Sequence, residues 1–219
     1  MSNASQHSRG ERRSPKKAAA TPPERRRKTA RSGALATEDT LDRSDWIAAA
    51  RRAFIRGGVS AVKVDKLAKT LKVTRGGFYW RFDGRPDLLD ALVEDWRATN
   101  SSSMLAALRG PGTPMERFRS LMDVWISEKG FDPAFDMAMR DWARVSPKVA
   151  KIVGEVDDER IEAFHQLFLA AGYSDDEAFI RARIVYFHQV GYYAMGVKEE
   201  RQRRMTLAEI YFKVLTGFS

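Results

Sequence analysis

The 219-residue sequence contains no cysteine. That absence excludes disulfides and thiolate metal sites, and it fits a reducing, cytoplasmic location. Long hydrophobic runs are also missing: no strictly apolar stretch exceeds five residues, Leu167 to Ala171 being one of them. A membrane-spanning helix needs about 20, so no membrane association is expected, and nothing resembles a secretory h-region. Histidine is limited to His7, His165 and His188, and scattered imidazoles without cysteine make no metal site unaided. There is no Gly-rich phosphate loop, no Gly-x-Ser-x-Gly and no His-Glu-x-x-His, so the common signatures of nucleotide, hydrolase and metalloprotease chemistry are absent. No catalytic residues, metal or cofactor are expected. Sustained period-two alternation is lacking as well, which leaves no candidate strand.

Positive charge is in surplus. Lys and Arg number 38 against 29 Asp and Glu, a net charge of +9. The excess is unevenly placed: residues 1–44 carry 11 basic and 5 acidic groups, residues 45–96 carry 10 and 7, and residues 97–219 carry 17 of each. Between Arg51 and Arg81 nine basic residues face a single acid, Asp65. A cationic N-terminal end joined to a neutral remainder predicts a polyanionic partner at that end.

Three regions follow. Residues 1–43 are rich in Ser, Ala, Pro and Arg, with too little apolar surface to offset ordering entropy, and read as a disordered basic tail. From Ser44 onward the apolar spacing is helical, and the predicted class is all-α. Helices are expected near 45–57, 64–71, 75–81, 86–103, 114–129, 134–145, 147–171, 175–197 and 206–217. Capping boxes at Thr113–Glu116, Ser174–Glu177 and Thr206–Glu209 mark three starts, and Ser146-Pro147 marks another.

Residues 44–92 read as a DNA-binding head. The first helix has Trp46, Ile47, Ala50, Ala53 and Phe54 on one stripe, with Arg51, Arg52 and Arg56 turned outward. Val64, Leu67, Ala68 and Leu71 line the second helix, and after a tight turn at Lys72-Val73 the residue Thr74 caps the third. Two short helices across such a turn form a helix-turn-helix, whose second helix enters the major groove. Phe78 and Phe82 share the buried face of that helix. Gly76, Gly77 and Trp80 lie opposite, flanked by Tyr79 and Arg81, where missing side chains permit close backbone approach and the aromatics suit sugar–phosphate and thymine-methyl contact.

The run Gly58-Val59-Ser60-Ala61-Val62-Lys63-Val64-Asp65-Lys66-Leu67-Ala68, then Val73-Thr74-Arg75-Gly76-Gly77-Phe78-Tyr79-Trp80-Arg81-Phe82, then Arg85-Pro86-Asp87-Leu88-Leu89, resembles the DNA-binding domain of the tetracycline-repressor (TetR) family. The resemblance extends from about Trp46 to Leu92. It implies a homodimeric bacterial regulator, usually a repressor, that binds a palindromic double-stranded DNA operator and carries an all-α ligand-sensing domain. It also implies that Thr74 caps the recognition helix and touches phosphate, that Arg75, Gly77 and Tyr79 contact bases or backbone, and that Arg85 grips phosphate. Lys63 replaces a capping threonine and Arg81 a common histidine. Lys72 replaces the usual turn glycine, so the backbone there is not expected to be left-handed. A constitutive, low-specificity architectural DNA binder is the alternative.

Residues 93–219 are expected to sense a ligand and to dimerise. The eighth helix is apolar nearly all round from Ile184 to Val197 and the ninth has one broad stripe, which predicts a four-helix interface between two copies. Aromatic and methionine residues recur at helical spacing, and a small, mostly apolar organic effector is expected among Trp125, Phe135, Met139, Trp142, Tyr186, His188, Gln189 and Tyr193, with Arg140 as a further polar group. A plain hydrophobic core is the alternative. Asp157-Asp158-Glu159 with Glu162 reads as a solvated acidic face.

Overall fold

Local caps and apolar spacing divide the chain into helices at the places where backbone donors need partners. A computed structural model describes residues 41–218; the expected basic tail lies outside them up to residue 40. Nine helices and no strand occur among the described residues: α1 Arg43–Ala61, α2 Val64–Leu71, α3 Arg75–Tyr79, α4 Arg85–Arg109, α5 Pro114–Ser127, α6 Pro133–Ala143, α7 Pro147–Ala170, α8 Asp175–Ala194 and α9 Arg201–Thr216. The all-α expectation holds. Asp42 opens α1 with a reciprocal capping box to Asp45, Thr113 opens α5 in the same way through Glu116, and Ser146 caps α7 by accepting from the Val149 N–H. Each such cap satisfies an otherwise orphaned N–H and is worth about 1 kcal/mol.

Several expected details are corrected. Helix α4, expected to end near residue 103, continues to Arg109, where Asn100 and Ser101 are buried with polar partners and Met104 and Leu108 are buried below them. Ser174 stands at the N-cap of α8 without a capping bond. Thr206 is not a cap: α9 begins at Arg201, and the Thr206 hydroxyl donates to the Gln202 carbonyl one turn back. Lys72 is left-handed after all, with φ 59° and ψ 37°, because the turn from α2 into α3 demands that conformation whatever residue fills it. A non-glycine residue there costs about 1–2 kcal/mol. Gly57 and Gly58 break α1 internally, and Gly58 has φ 65°, a conformation glycine adopts freely.

Two hydrophobic cores organise the fold. The first gathers Trp46, Phe54, Leu67, Phe78 and Leu92 of the N-terminal helices, and it also takes in Phe135 and Met139 of α6 and Val149, Val153 and Val156 of α7. The second joins the C-terminal end of α4 to α5, the later part of α7, α8 and α9 through Phe118, Trp125, Phe164, Phe168, Val185 and Phe212. Helix α4 belongs to both, with Leu88 to Trp96 in one and Met104 and Leu108 in the other. No helix among the described residues is long and apolar enough to cross a membrane.

Candidate functional site

The helix-turn-helix is held from within by aromatic packing. Phe78 stacks on Phe82 at 5.1 Å between ring centres, and Trp46 meets Phe78 edge-on at 5.2 Å. The Val73 N–H donates to the Ala68 carbonyl at 3.0 Å and closes the turn. What remains outside is a cationic and aromatic face. Lys63, Lys66, Lys69, Lys72, Thr74, Arg75 and Gly76 are exposed, Tyr79 is 55% exposed and Trp80 is 88% exposed. An indole left in water forgoes roughly 2 kcal/mol or more of burial free energy. Arg75 is anchored by Asp65 at 3.0 Å and by the Tyr79 hydroxyl at 3.4 Å, which aligns these two side chains along α3.

The two other basic residues expected on this face have inward partners. Arg81 donates to the Gly77 carbonyl at 2.8 Å and to the Leu41 carbonyl, and so ties the end of α3 to the start of α1. Arg85 donates to the Val62 and Val59 carbonyls at 2.7 and 2.5 Å, closing the C-terminal end of α1. Arg51, expected outward, instead bridges to Asp132 at 2.9 Å and to Asp95 at 3.6 Å over the Phe135 ring.

A buried polar network that the sequence reading missed fills the middle of the molecule. Asp136 and Arg160 are 2% and 1% exposed. Asp136 accepts from Trp96 Nε1 at 3.1 Å, Arg160 Nη1 at 3.1 Å and Arg140 Nε at 2.9 Å. Arg140 makes a two-pronged contact with Asp157 at 2.9 and 2.8 Å, and the Tyr186 hydroxyl donates to Asp157 at 2.6 Å. Asp157 therefore does not lie on a solvated face, and Arg140 is fully engaged rather than free to orient a ligand. Burial opposes ionisation of Asp136, but Arg160 and Arg140 outweigh it and hold the carboxyl below its usual range. The only traces in the sequence are the spacings Asp136…Arg140 and Asp157…Arg160.

Tyr186 belongs to this network. Burial, reinforced by Asp157 and Asp136 against the pull of the two arginines, pushes its phenol up to about 12. Because the folded value lies above the ordinary 10, the stability involved is intact below pH 10 and is lost as pH rises toward 12. Two units correspond to about 3 kcal/mol. Alkaline unfolding followed by circular dichroism is expected to show this loss in the wild type, and Tyr186→Phe should lack it.

The residues expected to hold an effector separate into groups. Trp125, His188 and Gln189 line one narrow cleft of about 50 Å³ between α5, α8 and α9, together with Met122, Tyr192 and Arg204. Tyr193 sits beside it, donating to the Trp125 carbonyl at 3.3 Å. Burial holds the His188 imidazole below its ordinary value, so the ring is uncharged at neutral pH. Phe135, Met139 and Trp142 are elsewhere: they pack in the first core, with Phe135 and Trp142 edge-on to Phe54 at 6.1 and 5.6 Å. They join the body to the head rather than facing Trp125.

A three-helix head with an exposed cationic third helix, set on a larger helical body, has the architecture of a helix-turn-helix fold. Residues 47–92 match the family described as "Bacterial regulatory proteins, tetR family". It is 36% identical over 58 residues to the HTH-type transcriptional regulator TtgR of Pseudomonas putida, covering 26% of this chain and 28% of that one. Similarity to SrpR of the same species is 39% over 64 residues, 29% of each chain. The aligned part of the chain thus spans little more than a quarter of the length of these curated relatives, both named as HTH-type transcriptional regulators. Solved structures extend the likeness to the whole fold. SCO4454, a TetR-family transcriptional regulator from Streptomyces coelicolor, superposes with a TM-score of 0.65 at 18% identity, over 80% of this chain and 92% of that one. AibR, solved in complex with isovaleryl coenzyme A and operator DNA, gives 0.60 at 14% identity over 79% and 97%. At these identities the likeness concerns the fold alone.

Proposed function

We propose that this protein is a transcriptional repressor that binds a palindromic operator as a homodimer and is released by a small organic effector. The observation that carries the reading is the face of α3 and its surroundings, where Arg75, Tyr79 and Trp80 stand exposed within a ring of lysines. Such a face neutralises phosphates with Lys63, Lys66, Lys69 and Lys72, while Gly76 and Gly77 admit the backbone of α3 to the major groove and Thr74, Arg75, Tyr79 and Trp80 touch sugar, phosphate and base edges. Arg81 and Arg85 act one step back, by fixing α3 and α1 in the geometry that presents these groups.

Dimerisation is supported by a second surface. Ile180, Ile184 and Phe187 of α8 and Ile210 and Val214 of α9 are exposed at helical spacings on the two C-terminal helices. Exposed apolar side chains at such spacings favour an association site, and a two-fold axis through it pairs α8 and α9 with their copies. Two reading helices related by that axis serve half-sites centred one helical turn, or a small multiple, apart.

Selection of bound sequences from random duplex DNA, followed by gel shifts at fixed salt, tests the proposal. The expected selected site is a palindrome, bound about 10³-fold or more tighter than random duplex. Tyr79→Ala should weaken that binding roughly tenfold, the size of a contact worth about 1.4 kcal/mol, with helical content and dimerisation unchanged. A ratio near one, with no selected palindrome, describes a low-specificity architectural binder instead.

A further inference from the structure

The cleft between α5, α8 and α9 contains polar nitrogens that the fold does not use. Trp125 Nε1, Gln189 Nε2 and His188 Nδ1 make no hydrogen bond, although Trp125 and Gln189 are only 5% and 7% exposed. The Gln189 amide lies near the Tyr193 hydroxyl without hydrogen-bond geometry. A buried N–H that lacks an acceptor is costly, and nearly all such groups in folded proteins are paired. Two of them belong to residues that line one cleft, next to a half-buried imidazole. They match an acceptor brought from outside.

Local charge decides what kind of acceptor. The one arginine lining the cleft, Arg204, is already engaged: it donates to the Trp125 carbonyl at 2.6 Å, to Glu128 at 3.1 Å and to the Tyr193 hydroxyl at 3.3 Å. Glu199 also lines the cleft, and Tyr192 donates to it at 3.4 Å. An incoming carboxylate meets an existing carboxylate and no uncommitted cation, and burying it carries a large desolvation cost. A carbonyl oxygen takes the same N–H donors without that cost. Met122, Ile126 and Leu215 supply apolar walls. The volume of about 50 Å³ admits a carbonyl and a few attached carbons, with the rest of the molecule at the open side.

Building on the effector-responsive reading above, we infer that this cleft binds an uncharged carbonyl compound with a compact apolar body, its oxygen accepting from the orphan N–H groups of Gln189 and Trp125. The effector is therefore an aromatic or alicyclic ketone, lactone or amide rather than an acid or a hydrocarbon.

Three molecules of nearly equal shape separate these classes: acetophenone, ethylbenzene and benzoate, titrated by calorimetry against the full chain without DNA. Acetophenone is expected to bind at least about tenfold tighter than either of the others, one hydrogen bond being worth about that factor. Gln189→Leu and Trp125→Phe, which keep size and lose the N–H, should each weaken acetophenone by about tenfold or more. Gln189→Leu should also raise the melting temperature of the ligand-free protein by about 2–4 °C, since it removes an unpaired buried group. Should Gln189→Leu fail to fold, Trp125→Phe carries the comparison alone. Equal binding of ethylbenzene, tighter binding of benzoate, no binding of acetophenone, or full affinity in Trp125→Phe would each overturn the inference. Operator release is read separately by gel shift. Acetophenone binding that depends on Gln189 and Trp125 but leaves DNA affinity unchanged upholds the site and removes the release mechanism. Release by a compound indifferent to both residues upholds the regulator and removes this site.

Discussion

Asp136→Ala is expected to destabilise the fold by about 3–5 kcal/mol, the usual cost of removing one partner from a buried ion pair. The substitution leaves the Arg160 guanidinium, 1% exposed, with only Ser101, the Asn100 carbonyl and Tyr186 as hydrogen-bond partners, and it orphans the Trp96 N–H. Arg140 retains Asp157, so the damage centres on Arg160. Arg160→Met in the same chain should recover part of the loss, because an uncompensated buried charge disappears with it. Urea denaturation of the two single variants and the double gives the coupling directly, and additive losses would show that the pair is not an energetic unit. Acid sensitivity follows with a fixed sign. The Asp136 carboxyl sits below its usual value, so the stability it supplies is complete above the ordinary carboxylate range near pH 4 and is lost as pH falls through the folded value. Asp136→Ala should flatten that part of the acid unfolding curve.

Why this network escaped a reading of the sequence is a matter of periodicity. Asp136 and Arg140 are four apart and Asp157 and Arg160 three apart, spacings that fit exposed pairs on a helix surface equally well. Only the packing of α6 against α7, with Tyr186 arriving from α8, turns them inward. The same ambiguity governs Phe135, Met139 and Trp142. Helical spacing shows that they are buried on one face, but not that the neighbour across the gap is Phe54 of the N-terminal head rather than Trp125. The helix-turn-helix was legible because its signals are local: Val64, Leu67, Ala68 and Leu71 face one way, a short turn follows, and Phe78 and Phe82 complete the core. Where local signals compete, they mislead. Thr206 and Glu209 have the letters of a capping box, yet Glu209 pairs with Arg119 across to α5, and the start of α9 is fixed upstream. Lys72 shows the opposite limit, since tertiary geometry imposes a left-handed residue where side-chain preference argues against one.

Placing charge on the apolar stripe of the C-terminal helices should abolish the dimer. Ile184 and Val214 are 54% and 75% exposed and lie on α8 and α9. In the proposed two-fold interface every substituted position occurs twice, so Ile184→Glu combined with Val214→Glu buries four carboxylates where apolar side chains meet. Each unpaired buried charge costs several kcal/mol, so the dimer dissociation constant is expected to rise by a factor of about 10³ or more. Sedimentation at micromolar concentration should then report a monomer. The monomer itself should remain folded, since neither side chain contributes to the second core. Operator affinity should fall with the dimer, because one reading helix retains only half of the phosphate and base contacts, and the slope of log affinity against log salt should shrink accordingly. Random-sequence DNA separates this from damage to the reading face: a head that is intact but monomeric keeps its weak affinity per half-site, whereas Tyr79→Ala loses affinity with the dimer preserved. A double variant that still sediments as a dimer would move the interface away from α8 and α9.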